Sequence, residues 1–454
     1  MIEMVFTERS TKVTEIKESV KKFMQENKMD YSSIDIAHEC CVFLEDMKRG
    51  LDGHRDSLDM LPTYIPMSDD IKTNEPVIVM DAGGTNFRVA VVHFDEGKNP
   101  VIEDFSNYPM PGTKGEIGKE EFFETIVEYL KPVINKSNKI GFCFSYPTEI
   151  LPNGDGKLIR FSKEIQVRDM IGQPVGAGII ETLQKAGYTE PKSIVLLNDT
   201  VATLLGGKAA YSNMPYDSYI GYILGTGTNT CYIERGSNIG KLQAIGQNYE
   251  SMLINMESGN YGNSPSGLID KEFDSTTVNP GHSNFEKKIS GGYLGGLILT
   301  MIKKAAEAGL LSETFTKNIQ NTDTLSTIDA NEFLHLPYGD NKLTSCCSDD
   351  SNESKKDRTT LYYLIDSLVE RAAKLVAINL TAVMIKTGKG NDPCRPVCIT
   401  ADGSTFYKLK AFKSKLEYYL KGYMVDEMGL YCEFAEAENV NLTGSAIAAL
   451  AKLS

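Results

Sequence analysis

Two short runs in this chain carry the same tripeptide in the same setting. Residues 82–91 read AGGTNFRVAV and residues 225–234 read GTGTNTCYIE. Each places Gly-Thr-Asn after one apolar, strand-like run and before another. A glycine turn between two strands makes a hairpin whose backbone N–H groups can approach an anion closely, because glycine has no Cβ. Two accounts fit the echo. One is coincidence between two glycine turns. The other is a chain of two related halves, each presenting a turn to one ligand.

The flanking pattern sets the fold class. Val77-Ile78-Val79-Met80 reads as a buried strand, Phe87 to Phe94 as its partner, and Val101 to Phe105 as a third strand. Glu120 to Val133 reads as an amphipathic helix with Phe123, Ile126, Val127 and Leu130 on its apolar face. Ile140 to Tyr146 and Ser193 to Leu197 read as strands, and Thr200 to Ala210 as a helix. Residues 11–60 read as helix, with Ile34, Ala37, Cys41, Leu44 and Leu51 on one face, and 61–76 as a proline-bearing connector. Residues 340–358 are polar and read as a surface loop. Alternating strand, helix and turn indicate an α/β fold. With 454 residues the chain is long enough for two or three domains, at roughly 100–200 residues each.

Charge and composition exclude some functions. A net charge of -14 argues against a broad nucleic-acid footprint, which needs a basic stripe. It leaves room for a small anion held at a glycine turn or a helix end. No stretch approaches the roughly 18 apolar residues that span a bilayer. The start, MIEMVFTERS, does not read as a signal peptide, so a cytoplasmic address is expected. The nine cysteines follow neither a disulfide framework nor a zinc pattern and are expected to be inert thiols. None of the five histidines lies in a glycine- and carboxylate-rich context, so any acid–base work falls to a carboxylate.

Three segments offer chemistry. The first turn, Asp81 to Asn86, is a phosphate candidate in which Thr85 adds a hydroxyl; an ordinary hairpin turn is its rival. It is neither a P-loop nor a dinucleotide fingerprint, since no Gly-Lys-Ser/Thr and no helix follow. Asp81, at a strand end, can hold Mg²⁺ through water or simply stabilise the turn. The second turn, Leu224 to Asn229, repeats the phosphate chemistry. Asp199, after an apolar strand and at a helix start, would stay ionised and accept a proton from an alcohol; the alternative is that it only caps the helix.

Taken in order, the motifs MDAGGTNFRVAVV, GFCFSYPTE, LIRFSKE, LLNDTVATLLGG, GYILGTGTNTCYIE, INMESGNYG, NPGHSNFEKKISGGYLGG, ITADGSTFYKL and NLTGSAIAALAKL resemble the eukaryotic-type hexokinase and glucokinase family. The resemblance runs from about residue 12 to the C-terminus. It implies a two-lobed actin-like ATPase fold, related to ribonuclease H, with a deep interdomain cleft. The small lobe would hold residues 74–198 and 441–454, the large lobe 1–73 and 199–440. The implied reaction is ATP-dependent phosphorylation of a hexose, D-glucose foremost and mannose or fructose as other candidates, at the 6-hydroxyl.

By resemblance Asp199 is the catalytic base, and Lys163 lies near the transferred phosphoryl. The hexose would be bound by Ser145, Pro147, Ser162, Lys163, Asn198, Asp199, Asn229, Glu257 and Glu286. ATP would be bound by Asp81, Gly83, Gly84, Thr85, Asn86, Gly227, Thr228, Asp402, Gly403, Ser404, Gly444 and Ser445. Mg²⁺ would arrive with ATP, held through water to Asp81 and by no direct protein ligand. The expected partners are small molecules, hexose and ATP, on a monomer or homodimer. The rival function is a catalytically inactive hexose sensor on the same fold, against which intact Asp199, Lys163, Thr228 and the first glycine turn argue. The chain departs from the family pattern at Phe161, where Trp is usual, at Gly296, where Glu is usual, and in a last motif with fewer glycines. These departures bear on nucleotide affinity and sugar preference and touch none of the proposed chemical groups.

Overall fold

The computed structural model describes residues 2–54, 58–67, 71–161, 165–243, 248–347 and 351–453, with residues 2–12 described through their backbone. The strands are β1 (Leu61–Pro66), β2 (Val77–Gly83), β3 (Asn86–Phe94), β4 (Pro100–Pro109), β5 (Lys139–Phe144), β6 (Thr148–Ile150), β7 (Gly156–Leu158), β8 (Ser193–Leu197), β9 (Ser218–Leu224), β10 (Thr228–Arg235), β11 (Ser251–Asn255), β12 (Val397–Asp402) and β13 (Cys432–Ala435). The helices begin with α1 (Ile2–Glu26), α2 (Ile36–Leu51), α3 (Lys119–Leu130), α4 (Val175–Lys185) and α5 (Asp199–Ala210). They continue with α6 (Leu268–Thr276), α7 (Glu286–Ile289), α8 (Leu294–Glu307), α9 (Glu313–Gln320), α10 (Thr327–His335) and α11 (Asn352–Thr387). The last are α12 (Ser404–Lys408), α13 (Phe412–Tyr419) and α14 (Val440–Lys452).

The internal echo is architectural. One sheet runs β4-β3-β2-β5-β8; the other runs β11-β10-β9-β12-β13, with β1 added outside β11. In each, three consecutive strands form an antiparallel meander and two later strands join the first one in parallel. Each Gly-Thr-Asn lies at the first hairpin of its sheet, between β2 and β3 and between β9 and β10. Two halves of like topology are therefore present, and the coincidence reading falls.

The last helix of each half crosses to the other half. Helix α5 follows β8 yet packs on β9 and β12, while α14 follows β13 yet packs on β2, β5 and β8. The two helices also pack on each other. A Cβ on Gly444 would overlap the Ala202 carbonyl, and one on Gly141 would overlap the Ser445 carbonyl, so glycine is what lets these backbones approach.

Two expectations change. The span 11–60 is two helices, broken at a short turn by Asp30 and restarted by Asp35, each of which caps the element after it. The span 340–358 is not simply a surface loop. Cys346 and Cys347 are buried, Ser351 caps α11, and Asp357 accepts bonds from Ser312 N (2.9 Å) and Ser312 Oγ (2.6 Å). The polar residues there satisfy helix ends and buried contacts. Among the described residues no helix is long and apolar enough to cross a membrane.

Candidate active site

Asp199 opens α5, but it does not cap the helix. The cap is Asn198, whose side chain accepts from Thr200 N at 2.9 Å. The Asp199 carboxylate is thus not the capping acceptor, and it accepts from Thr200 Oγ1 at 3.2 Å. Burial works against the ionised form that the helix N-terminus favours. Burial pushes its pKa up to about 6, the Thr200 bonds pull it down in part, and Asp81 and Asp402 push it up again.

Beside it lies a network of amides and carboxylates. Asn229, on β10, donates to Asn255 Oδ1 at 2.6 Å and is within reach of Glu257 Oε1 at 3.4 Å and Asn198 Oδ1 at 3.5 Å. Asn255 donates to Glu257 Oε1 at 2.8 Å. The other end of Asn229 accepts from Thr230 N at 2.7 Å and Ser258 N at 3.3 Å, so its amide orientation is fixed. Burial raises Glu257 to about 7 despite the Asn255 bond. Glu257 also adopts φ +54°, a left-handed backbone that a long side chain rarely takes.

Glu286 is tied to the second glycine turn. Its Oε2 accepts from Thr228 N at 3.0 Å, and a Cβ on Gly227 would stand 2.7 Å from that oxygen. Burial raises its pKa, while the Thr228 bond and then Arg160 draw it back. The turn itself is braced by Gly291 N on Gly225 O (2.8 Å), Gly292 N on Thr226 O (2.9 Å) and Thr405 Oγ1 on Gly225 O (2.9 Å). The segment Asp402-Gly403-Ser404 leans on it: a Cβ on Gly403 would meet the Leu224 carbonyl.

In the first turn Gly84, Thr85 and Asn86 are exposed and Gly84 has φ +58°. Asp81 is buried, and burial raises its pKa although Arg88 (3.2 Å) and Asn441 (3.4 Å) both donate to it. Among the described residues no group of three or more His, Cys, Asp or Glu could cage a metal ion. One buried carboxylate beside a glycine turn fits a cation that arrives on a nucleotide with its own water shell. Ser145 sits close by, its N–H on Ala82 O at 3.0 Å, and Pro147 follows it.

The structure thus links Asn198, Asn229 and Glu257 by hydrogen bonds and, separately, Glu286 to Thr228, with Asp199 adjoining and Ser145 beside the first turn. Ser162 and Lys163 lie outside the described residues. Gly444 and Ser445 are buried in the crossing of α14 with α5 and β5, where Ser445 Oγ donates to Asn441 O at 2.6 Å and both residues pack closely. Gly296 has a packing reason too, since a Cβ there would stand 2.7 Å from the Phe273 ring.

Four participants were not anticipated. Asn255 ends β11 two residues before Glu257, whose left-handed backbone carries its carboxylate back to the Asn255 amide at 2.8 Å. Arg88 faces Asp81 across the hairpin, as a two-residue turn between residues 83 and 86 requires. Arg160 is close enough to act on Glu286, and Tyr146 bonds the first turn. Neither of the last two had a sequence signal.

Comparison with known proteins bears on this site. Two sequence models described as Hexokinase match residues 19–209 and 219–451. The chain is 31% identical over 396 residues to Hexokinase-1 of Spinacia oleracea, spanning 82% of this chain and 78% of that protein. It is 30% identical over 423 residues to Glucokinase-1 of Kluyveromyces lactis, spanning 83% and 86%. In fold it is similar to a hexokinase from Schistosoma mansoni solved with glucose, with TM-score 0.74, 22% identity, and 96% and 99% of the two chains covered.

Proposed function

The chain belongs to the hexokinase family and is a sugar-phosphorylating enzyme, and from that premise we propose that it transfers the γ-phosphoryl group of ATP to the 6-hydroxyl of a hexose, D-glucose before mannose or fructose, with Asp199 as general base. The observation that carries this reading is the Asp199 carboxyl itself. It is released from capping by Asn198, raised toward neutrality by burial, and adjoins a fixed set of hydroxyl-binding amides and carboxylates.

The residues divide the work. Asn229, Glu257 and Glu286, with Asn255 behind them, offer donors and acceptors that match the ring hydroxyls of a hexose; Ser145, Pro147, Ser162 and Lys163 meet it from the other side. A missing hydroxyl would leave a buried polar group unpaired, which is how such a site discriminates. Asp199 takes the proton from the 6-hydroxyl as that oxygen attacks the γ-phosphorus and ADP departs. Glycine turns Asp81 to Asn86 and Gly227-Thr228 hold the phosphates, with Asp402, Gly403 and Ser404 toward the nucleoside. Lys163 stands near the transferred group. Asp81 is the residue that would hold Mg²⁺ arriving with ATP, and the ion would neutralise charge on the phosphates. The lobes are 74–198 with 441–454, and 1–73 with 199–440, and the enzyme works in the cytoplasm.

The test is ADP release coupled to a reporter reaction, with glucose, mannose and fructose. Asp199→Ala is expected to lower kcat by roughly 10²–10⁴ while glucose still binds. An Asp199→Ala enzyme with near-normal kcat removes the base assignment; a parent chain that binds glucose and releases no ADP makes the protein a sensor.

A further inference from the structure

Where the family pattern has phenylalanine between its Ser and Pro, this chain has Tyr146. The ring is buried, 4% exposed, among Phe144 (centroids 4.9 Å apart) and Phe161 (5.1 Å). Ser145 and Pro147 flank it and are only half-buried. Tyr146 lies in the bend after β5, where its side chain turns into the lobe while its two neighbours stay partly exposed. Phe161 in turn immediately precedes Ser162 and Lys163. The ring therefore packs against the residue that leads into Ser162 and Lys163 in sequence.

The hydroxyl does something a phenyl ring cannot. It donates to the Gly84 carbonyl at 2.9 Å, at the tip of the first glycine turn. A peptide group is planar and trans, so its C=O and N–H point in opposite directions. The N–H paired with the Gly84 carbonyl belongs to Thr85. Holding that carbonyl into the lobe aims the Thr85 N–H outward. Thr85 is exposed, and its N–H has no partner among the described residues. Met110 N, on the Thr85 carbonyl at 2.9 Å, braces the next peptide from behind. Gly84, at φ +58°, has the conformational freedom to lose this orientation if nothing holds it.

We propose that the Tyr146 hydroxyl is a positioning group for the nucleotide, which aims the Thr85 N–H at the ATP phosphates and ties that turn to the hexose-contacting segment. This inference rests on the reading of the Asp81 to Asn86 turn as a phosphate site.

Tyr146→Phe removes one oxygen and leaves the ring packing intact. The loss of one neutral hydrogen bond predicts a rise in KM for ATP of about three- to tenfold, with KM for glucose changed less than about twofold and the melting temperature nearly unmoved. A purely structural role would move stability, or both KM values together, and either result overturns the proposal. Gly84→Val is the companion variant, because a β-branched residue cannot hold φ +58° and must displace the turn. If Gly84→Val raises KM for ATP and Tyr146→Phe does not, the tyrosine has no positioning role and the phosphate reading stands. If neither raises it, the turn is not the phosphate site and both readings fall.

Discussion

Lowering the pH is the gentlest perturbation of the proposed base, and its effect follows from two groups. Asp199 is raised to about 6 and Glu257 to about 7, in both cases mainly by burial. A base must be ionised to accept a proton, so activity should fall as pH drops through these values. If Asp199 alone must be ionised, its charged fraction goes from about 0.99 at pH 8 to about 0.09 at pH 5, an elevenfold loss. If Glu257 must also be ionised to accept sugar hydroxyls, its fraction goes from about 0.9 to about 0.01, and the product falls roughly a thousandfold. The assay is kcat/KM for glucose with both substrates well below saturation, which reports the free enzyme. A log plot with slope near two below pH 6 is expected for the parent, and slope near one for Glu257→Gln. The two groups interact, so the apparent values belong to the pair. A flat profile down to pH 5, or a limb at the ordinary aspartate range near 4, would refute the claim that burial tunes the base.

Two further outcomes are expected. Thr230 is fully buried between Asn379 Nδ2 (2.8 Å) and Ser258 Oγ (3.0 Å), and the Thr230 and Ser258 amides fix Asn229 Oδ1; Thr230→Val should lower unfolding free energy by roughly 1–3 kcal/mol and raise KM for glucose, with Thr230→Ser restoring both, as read from denaturant midpoints and kinetics. An unchanged midpoint and KM in Thr230→Val would remove that network from the account. Because hexose groups come from both proposed lobes, glucose should shrink the radius of gyration in small-angle scattering, a useful probe in a chain without tryptophan. Xylose, which lacks the hydroxymethyl arm, should close the cleft around a water and speed ATP hydrolysis; no change in radius with a sugar that is turned over would end the closure idea.

What was legible in the sequence was whatever local physics dictates. Val77 to Met80 and Phe87 to Phe94 had to pair because apolar runs joined by a glycine turn have few other options, and the repeated Gly-Thr-Asn marked a repeated sheet topology. The long-range facts were hidden. Asn198 and Asp199 are both good capping residues, and only coordinates show that the first caps and the second is released. Residues 340–358 look like a loop because the partner of Asp357, Ser312, lies 45 residues away in sequence and Ser351 is spent on capping α11. Gly444 and Ser445 resemble a ligand motif, yet glycine and serine are also what a tight helix crossing selects. Tyr146 differs from phenylalanine by one atom whose partner lies 62 residues away in sequence.

The ligand-free site carries several costs at once. Asp81, Asp199, Glu257 and Glu286 all have raised pKa values with burial as the leading cause, and Asp199 is pushed further by Asp81, as Glu257 is by Asp199 and Glu286. Glu257 adds a left-handed backbone. Native structures keep such strain where the surroundings over-determine it, and here Asn229, Asn255 and the Thr228 amide hold it in place. On the proposed function, the occupant that relieves these costs is a neutral molecule rich in hydroxyl donors. Each hydroxyl placed on a carboxylate favours its charged form and lowers its pKa, replacing part of the solvation that burial removes. An anionic sugar acid would deepen the same repulsion. The polyphosphate would meet glycine backbone and the Thr228 hydroxyl, with a cation between it and Asp81. On that reading the ring hydroxyls offset the desolvation of Glu257 and Glu286, and the 6-hydroxyl does the same for Asp199, the base that would take its proton.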